Sequence, residues 1–465
     1  MSHEESAAAM SHPSLEDALQ RAGSPVGLLR NSQIGPYAFP VVPPEFTNWR
    51  DEQQAWRESC AFFDQSHHMT DLRLEGPDAL TLLSALGVNS FARFTVNQAK
   101  QFVACNHDGS VIGDAILFHL AEHSFSLVGR PSALNWVQYN LETGGYRASA
   151  ERDERSAVNR GARKSFRYQV QGPHAARVME KVTGTAAPDI RFFNMGSFSI
   201  AGRNVRALRH GMVGQPGWEL FGPWDDGGAV RDAIVAAGQE YGIRQVGSRA
   251  YPTTCLESGW IPSPLPAVYT GADMLAYRQW LGATSYEAMA SLGGSFDASD
   301  IADYYLTPFD MGYGPFVKFD HEFVGRSALE KMAANQRRKK VTLVWNGEDV
   351  ARVFGTLFGS GDITKYIDLP LANYATIPYD KVLGKGRTVG VSTYTGYTYN
   401  ERAMLSLAVI DLDHSEPGTE VTVVWGEAGR GSSKPTVERH RQIEIRATVA
   451  PVPYAETARV AYRPS

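Results

Sequence analysis

Residues 101–128 read QFVACNHDGSVIGDAILFHLAEHSFSLV, and the class of fold turns on them. Three strand-like runs follow one another here: Gln101–Asn106, Gly113–Leu120 and Ser124–Val128. Each is rich in β-branched and aromatic residues, and His107-Asp108-Gly109 supplies turn chemistry between the first two. Such short links predict hairpins. Helical patterns follow at Pro131–Leu141, His174–Thr183 and Gly228–Tyr241, with further strands at Phe166–Gln171 and Val205–His210. Hairpins alternating with helices predict an α+β body and not a doubly wound parallel sheet.

Upstream, Met69–Leu74 reads as a strand, and Thr47–Phe63 as an amphipathic helix with Trp49, Trp56, Cys60 and Phe63 toward the core. The stretch Pro36–Pro44 is proline-rich and carries Tyr37 and Phe39, so it cannot be a helix interior. It predicts an irregular aromatic segment packed over core or ligand. Ser14-Leu-Glu-Asp17 is a helix-capping pattern, and that helix stops near Gly23. Met1–Pro13 is polar, reads as disordered and has no apolar signal core.

Downstream, the composition shifts at Gln336-Arg-Arg-Lys-Lys340, which reads as a solvated linker. After it come strand-like runs at Val341–Trp345, Gly390–Thr393, Leu405–Ile410, Glu420–Trp425 and Gln442–Val449, punctuated by Gly, Pro, Asn and Asp. They predict a C-terminal β-barrel. The expected organisation is an N-terminal extension over 1–30, an α+β body of two interleaved domains over 31–336, and a barrel over 337–465.

The 465 residues carry 45 basic and 50 acidic side chains, a net charge of -5, with 43% hydrophobic and 20% charged residues. This is an ordinary globular profile with no general attraction to nucleic acid. No apolar run is long enough to span a bilayer, and Cys60, Cys105 and Cys255 lie far apart without CxxC spacing. The expectation is a cytoplasmic chain with no disulfide framework, no metal and no membrane or nucleic-acid partner.

Several motifs fail on context. His119-Leu-Ala-Glu122-His123 matches a zinc-protease pattern, but that chemistry needs both histidines on one helix face, and this segment joins two strands. His67 and His68 are adjacent, which suits neither helical nor strand geometry for one metal. Gly384-Lys-Gly386 through Gly390 has the wrong spacing for a dinucleotide loop, and a strand follows it.

What remains is polar groups set among glycine, proline and aromatic residues. They occur in Asp64-Gln-Ser-His-His68, Val128-Gly129-Arg130, Gly214-Gln-Pro-Gly-Trp-Glu219, and the stretch from Gly247-Ser-Arg-Ala-Tyr251 to Leu256-Glu257-Ser-Gly-Trp260. Strand ends and glycine-rich turns hold such side chains where a ligand can approach. Taken singly, each also reads as a structural turn.

From about Asn31 to Tyr454 the chain resembles the aminomethyltransferase superfamily of the glycine-cleavage T-protein. The landmarks occur in order: Asp108-Gly-Ser-Val-Ile-Gly113-Asp114, Gln171-Gly-Pro173, Gly217-Trp-Glu219-Leu, Gly247-Ser-Arg249, Leu256-Glu257-Ser-Gly259, Val324-Gly-Arg326, Gly390-Val-Ser392 and Pro417-Gly418-Thr419. Within it, Leu29-Arg-Asn-Ser-Gln-Ile-Gly35, Asp64-Gln-Ser-His-His-Met69, Phe192-Phe-Asn-Met195, Leu208-Arg-His-Gly211, Trp260–Pro266 and Tyr305–Asp320 are similar to the tetrahydrofolate-dependent O-demethylases of lignin-derived aromatic acids. The resemblance implies a three-domain α+β fold and methyl transfer from a methoxybenzoate (vanillate, 3-O-methylgallate or syringate) to N5 of tetrahydrofolate.

It also assigns roles. Tyr251 is implied as the general acid, and a phenol of pKa about 10 keeps its proton at neutral pH. Arg130 is implied as the carboxylate grip, with Tyr37, Phe39 and His68 in the substrate pocket; a guanidinium can hold a carboxylate through two parallel hydrogen bonds. Glu219, Gln169, Phe192 and Trp260 are implied as the pterin contacts, the acid accepting from the amino and ring N–H groups. Phe192 and Trp260 read equally as core residues. Phe39 stands where vanillate-type relatives carry tyrosine, which predicts tolerance of a second methoxy group. The T-protein's Asp-Asp pair is Gly113-Asp114 here, which argues against aminomethyl transfer from a lipoyl carrier. Two alternatives stay open: a folate-dependent demethylase of an N- or S-methyl compound, and a folate-binding protein without transfer chemistry, which would need Glu219 but not Tyr251.

Overall fold

The computed structural model describes residues 12–460 except 160, 188, 263, 430, 432 and 433, so the polar start of the chain lies almost wholly outside the described residues. The strands of the body are β1 (Cys60–Asp64), β2 (Thr70–Glu75), β3 (Ala99–Cys105), β4 (Val111–Ala121), β5 (Ser124–Gly129), β6 (Ser149–Asp153), β7 (Ser165–Gln171), β8 (Met195–Ile200), β9 (Arg203–Arg209), β10 (Gly217–Pro223) and β11 (Ile243–Val246). They form a six-stranded sheet ordered β11-β1-β7-β10-β9-β8 and a five-stranded sheet ordered β3-β4-β5-β2-β6. The chain leaves the first sheet after β1, builds the second, and returns with β7. The opening stretch folds as read: β3, β4 and β5 are successive antiparallel neighbours.

Next come β12 (Leu292–Gly293), β13 (Arg338–Trp345), β14 (Ile377–Pro378), β15 (Asp380–Gly384), β16 (Arg387–Thr398), β17 (Ala403–Asp411), β18 (Glu420–Trp425) and β19 (Ile443–Ala450). β12 and β14 pair in parallel, and the other six close a barrel in the order β13-β17-β16-β15-β18-β19. This is the α+β fold with a C-terminal barrel that the patterning predicts.

Three apolar cores hold the layers. The five-stranded sheet buries Leu72, Phe102, Leu117 and Leu127 against Leu134 and Val137 of the helix Pro131–Thr143. The six-stranded sheet buries Phe62, Val170 and Leu220 against Val178 and Ile234 of two helices. The barrel interior is filled by Leu343, Trp345, Val423 and Trp425. Each fully buried large side chain stabilises by about 1.5–3 kcal/mol, which fixes strand register and with it the direction of the polar side chains between.

Three expectations need correction. The helix predicted over Thr47–Phe63 spans only Trp49–Glu58; Cys60 and Phe63 lie on β1. Cys60-Ala-Phe-Phe63 is an unbroken apolar run buried between β11 and β7, and such a run suits a strand covered on both faces. The basic run is no linker. Arg338, Lys339 and Lys340 open β13, Arg338 pairs with Asp310 at 2.7 Å, and Lys340 donates to the Gly259 carbonyl at 2.6 Å. Finally, the barrel region contains the helix Gly347–Gly355, whose first turn is capped by Asn346 Oδ1 accepting from the N–H groups of Glu348 and Asp349. The N-terminal helix Leu15–Ala22 has the capping box expected of Ser14 and Asp17 and ends at Gly23 with φ 76°.

Candidate active site

A cavity of about 1090 Å³ lies where both body sheets meet the barrel. Of the nine residues singled out in the sequence, Phe39, His68, Arg130, Phe192, Glu219, Tyr251 and Trp260 line it. Tyr37 and Gln169 touch residues that do: Tyr37 lies under the Arg130 guanidinium, 4.3 Å from Cζ to ring centroid, and Gln169 is the cross-strand partner of Glu219.

At one place on the wall stands a phenol. Tyr251 opens a short 3₁₀ turn, Tyr251–Thr253, tied back by its N–H to the Gly247 carbonyl. Its ring packs between Phe39 and Phe63, with centroids 5.3 Å from each. Its hydroxyl lies 3.2 Å from His68 Nε2 and accepts from Gln65 Nε2 at 3.1 Å. Burial pushes the phenol above its ordinary pKa, with the Cys255 thiol next in effect. His68 goes the other way: burial first, then the positive charge of Arg130, bring it down to about 3. At neutral pH the pair is therefore an uncharged phenol beside an uncharged imidazole.

A second region is cationic. Arg130 follows β5 directly and precedes Pro131, the first residue of the next helix. Its guanidinium sits over the Tyr37 ring and donates to Tyr286 Oη at 3.3 Å. No carboxylate lies within ion-pair reach of it among the described residues, so its charge is available to a ligand. Arg155 lies over Tyr37 and Tyr286 at 5.6 and 5.2 Å, and its buried Nε has no partner. Tyr37 donates its hydroxyl proton to the His68 carbonyl at 2.6 Å, so it holds the pocket wall in place.

A third region suits a flat, donor-rich heterocycle. Glu219 on β10 is buried, and Arg167 pairs with its Oε1. Gln169, on β7 beside it, is fully buried; its Nε2 donates to the His210 carbonyl at 2.8 Å and its Oε1 has no partner. Phe192 and Trp260 are not core residues: they are 36% and 39% exposed, and both line the cavity. Trp260 is fixed by its Nε1, which donates to Asp114 Oδ2 at 3.0 Å and to Tyr313 Oη at 2.9 Å. Burial raises the Asp114 pKa, against hydrogen bonds from Tyr313 and Trp260 that lower it.

Other landmarks prove structural. Glu257 accepts from Trp56, Arg57, Thr398 and Asn400, clamping the helix Trp49–Glu58 to β16 and the turn that follows it. His119 is stacked on Phe125 at 4.4 Å while His123 is exposed, so that pair points apart. Among the described residues no helix is long and apolar enough to cross a membrane.

With this geometry in hand, similarity to known proteins becomes informative. The model of the GCVT N-terminal domain matches residues 31–263, which contain all nine residues above. The chain belongs to the GCVT family. It is 50% identical to a syringate O-demethylase from Sphingobium sp. over 97% of this chain and 98% of the relative. It is 31% identical to a sesamin methylene transferase from Sinomonas sp., over 90% and 91%. The crystal structure of the glycine cleavage system aminomethyltransferase T from Bartonella henselae superposes with a TM-score of 0.61 at 18% identity, covering 92% of this chain and 95% of that one. The GCVT architecture, barrel included, is thus shared well beyond the matched domain.

Sequence reading left out Gln65, Tyr286, Arg155 and Asp114 as site residues. Gln65 lay inside a quoted polar segment and Asp114 inside a quoted landmark, so their signal was visible. Tyr286 and Arg155 carry no local signal, and only the fold brings them to Arg130.

Proposed function

We propose that this GCVT-family chain is a tetrahydrofolate-dependent O-demethylase of a methoxybenzoate, with a syringate-type acid as substrate. One observation carries the reading: Tyr251, Arg130 and Glu219 face a single cavity. Its volume exceeds the roughly 300–1000 Å³ of ordinary single-ligand pockets, which favours two ligands bound together. The 50% identity to a syringate O-demethylase supports the same chemistry.

The residues fit tetrahydrofolate. The Glu219 carboxylate at the cavity wall can accept from the amino and ring N–H groups of a pterin, and the unpartnered Gln169 Oε1 lies on the neighbouring strand behind it. Phe192 and Trp260 offer aromatic faces for stacking. When bound, tetrahydrofolate supplies the amine nitrogen that accepts the methyl group.

The protein's own part is orientation and proton donation. Arg130 holds the substrate carboxylate bidentately, with Arg155 and Tyr286 adding positive charge and a hydroxyl behind it. That anchor sets the methoxy oxygen against Tyr251, which gives its proton as the phenolate leaves. His68 stays neutral and orients the phenol. The fixed geometry replaces the entropy of bringing two substrates together. Phe39, packed against both His68 and Tyr251, makes the wall apolar and favours a second methoxy group.

The test is anaerobic incubation with tetrahydrofolate and vanillate, 3-O-methylgallate and syringate, followed by chromatography for 5-methyltetrahydrofolate and the phenol in equal amounts. Transfer from none of these, or transfer only from N-methyl or S-methyl donors, overturns the reading.

A further inference from the structure

Gln65 is 5% exposed and lines the cavity, at a point where its backbone N–H is bonded to the Arg167 carbonyl at 2.9 Å. Its amide is oriented by two acceptors. Nε2 donates to the Tyr251 hydroxyl at 3.1 Å and reaches Met212 Sδ at 4.0 Å. The NH₂ end is thereby committed to the protein, and the carbonyl end, Oε1, is left buried with no partner. An orphaned buried carbonyl is costly unless something completes it.

We propose that Gln65 is the positioning residue of the proton donor, holding the Tyr251 oxygen with an amide N–H and presenting its free carbonyl to an N–H or O–H group of a bound ligand. The inference rests on the demethylase reading for the direction of proton flow. Because Gln65 fills one lone pair of the phenol oxygen, the phenol's own hydrogen is turned toward His68 or the reacting oxygen. As the ether C–O bond breaks, Tyr251 gives up its proton and keeps the O–H electron pair. The Gln65 N–H then stabilises the tyrosinate, just where charge appears. Tyr251 is restored by the proton that the accepting amine sheds on alkylation, so protons balance over the cycle.

The other ionisable groups facing Tyr251 are His68, Cys255, Arg130, Glu219 and Tyr394. Burial pushes the Cys255 thiol up to about 12, and His68 lies at about 3, so neither titrates at neutral pH.

The closing experiment reads the phenol directly. In the full-length protein, Tyr251 is replaced by 2,3,5-trifluorotyrosine, and its ionisation is followed by ¹⁹F NMR with and without Q65M or Q65E. A hydrogen bond to a charged oxygen shifts the midpoint by about one pH unit, so Q65M should raise it by about that much and Q65E by more. A midpoint unmoved in both variants overturns the proposal. In the unlabelled enzyme, Q65M should slow turnover about 10- to 100-fold, most for methoxybenzoates whose leaving phenol is least acidic. An equal loss on every substrate would mean packing alone and would also overturn it. If the unmutated protein demethylates no methoxybenzoate, the functional reading fails, while the NMR midpoint still decides the role of Gln65.

Discussion

Replacing Tyr251 by phenylalanine removes one oxygen and leaves the cavity walls standing. The ring contacts to Phe39 and Phe63 survive, because both meet the ring and not the hydroxyl. What disappears is a proton donor whose loss costs a rate factor of roughly 10² to 10⁴. At 1.36 kcal/mol per tenfold, that is about 3–5 kcal/mol of barrier. The variant also strips a partner from Gln65 Nε2 and His68 Nε2, which costs stability about 1–3 kcal/mol for each group left unsatisfied. A fall of a few degrees in Tm should therefore accompany the kinetic loss. Glu219 and Gln169 are untouched, so folate affinity should stay within about twofold of wild type, by calorimetry. Turnover is followed as 5-methyltetrahydrofolate formed under anaerobic conditions. The pH profile adds a check. With the phenol held above its usual range and His68 near 3, neither ionises between pH 6 and 9, so wild-type kcat should show no step from either group there. Turnover of Tyr251→Phe near wild type, or a loss confined to the folate requirement, would refute the assignment.

Four further outcomes follow from the same geometry. Glu219→Gln should raise the folate requirement about tenfold and the aromatic-acid requirement little, since the proposed pterin contact is the Glu219 carboxylate held by Arg167; the reverse pattern in steady-state kinetics would reassign the residue. Arg130→Lys should raise KM for the aromatic acid about 10- to 100-fold, because a point charge cannot form the two parallel bonds, and methyl ester substrates should not notice the change. Phe39→Tyr should move preference from syringate toward vanillate, measured as a ratio of kcat/KM values; an unchanged ratio removes Phe39 from substrate choice. Asp380 gives a pH test away from the site. Burial raises its pKa to about 7, against hydrogen bonds from Ser295 N–H and Tyr374 Oη. The folded state then binds the extra proton, so this contribution is complete below about pH 4 and is lost as pH rises through 7, by at most about 4 kcal/mol. Asp380→Asn should flatten that slope in denaturant melts at pH 5 and pH 8.

The fold was legible where side-chain period and turn chemistry agreed. The hairpin from Gln101 to Val128 and the barrel strands read correctly because alternating burial is local information. Misreadings arose where tertiary covering overrides local pattern. Cys60-Ala-Phe-Phe63 continues a helical face on paper, yet neighbours on both sides of the sheet demand a strand there. The basic run 337–340 looks solvated because charge suggests water. In the structure Asp310 neutralises Arg338, and Lys340 runs along the cavity wall to a carbonyl, its pKa brought down to about 8 by burial.

The candidate site was legible one element at a time and in no other way. Each polar cluster sits at a strand end or glycine turn, and each alone is an ordinary structural feature. Their meaning comes from convergence. The end of β1 delivers Gln65 beside Arg167 of β7, Arg130 directly follows β5, and the turn after β11 carries Tyr251 to the same cavity. A phenol anywhere else on the surface would be inert toward an ether. Here Gln65 donates to its oxygen and His68 Nε2 lies within hydrogen-bond reach, Phe39 and Phe63 pack on its ring, and the Arg130 guanidinium lines the same cavity with no carboxylate within ion-pair reach among the described residues. That uncompensated charge is the most selective feature: a half-buried guanidinium with no carboxylate in reach among the described residues suits an anion brought by the substrate, and a methoxybenzoate brings one on the same ring as its ether oxygen, in the meta relation to it for vanillate, 3-O-methylgallate and syringate.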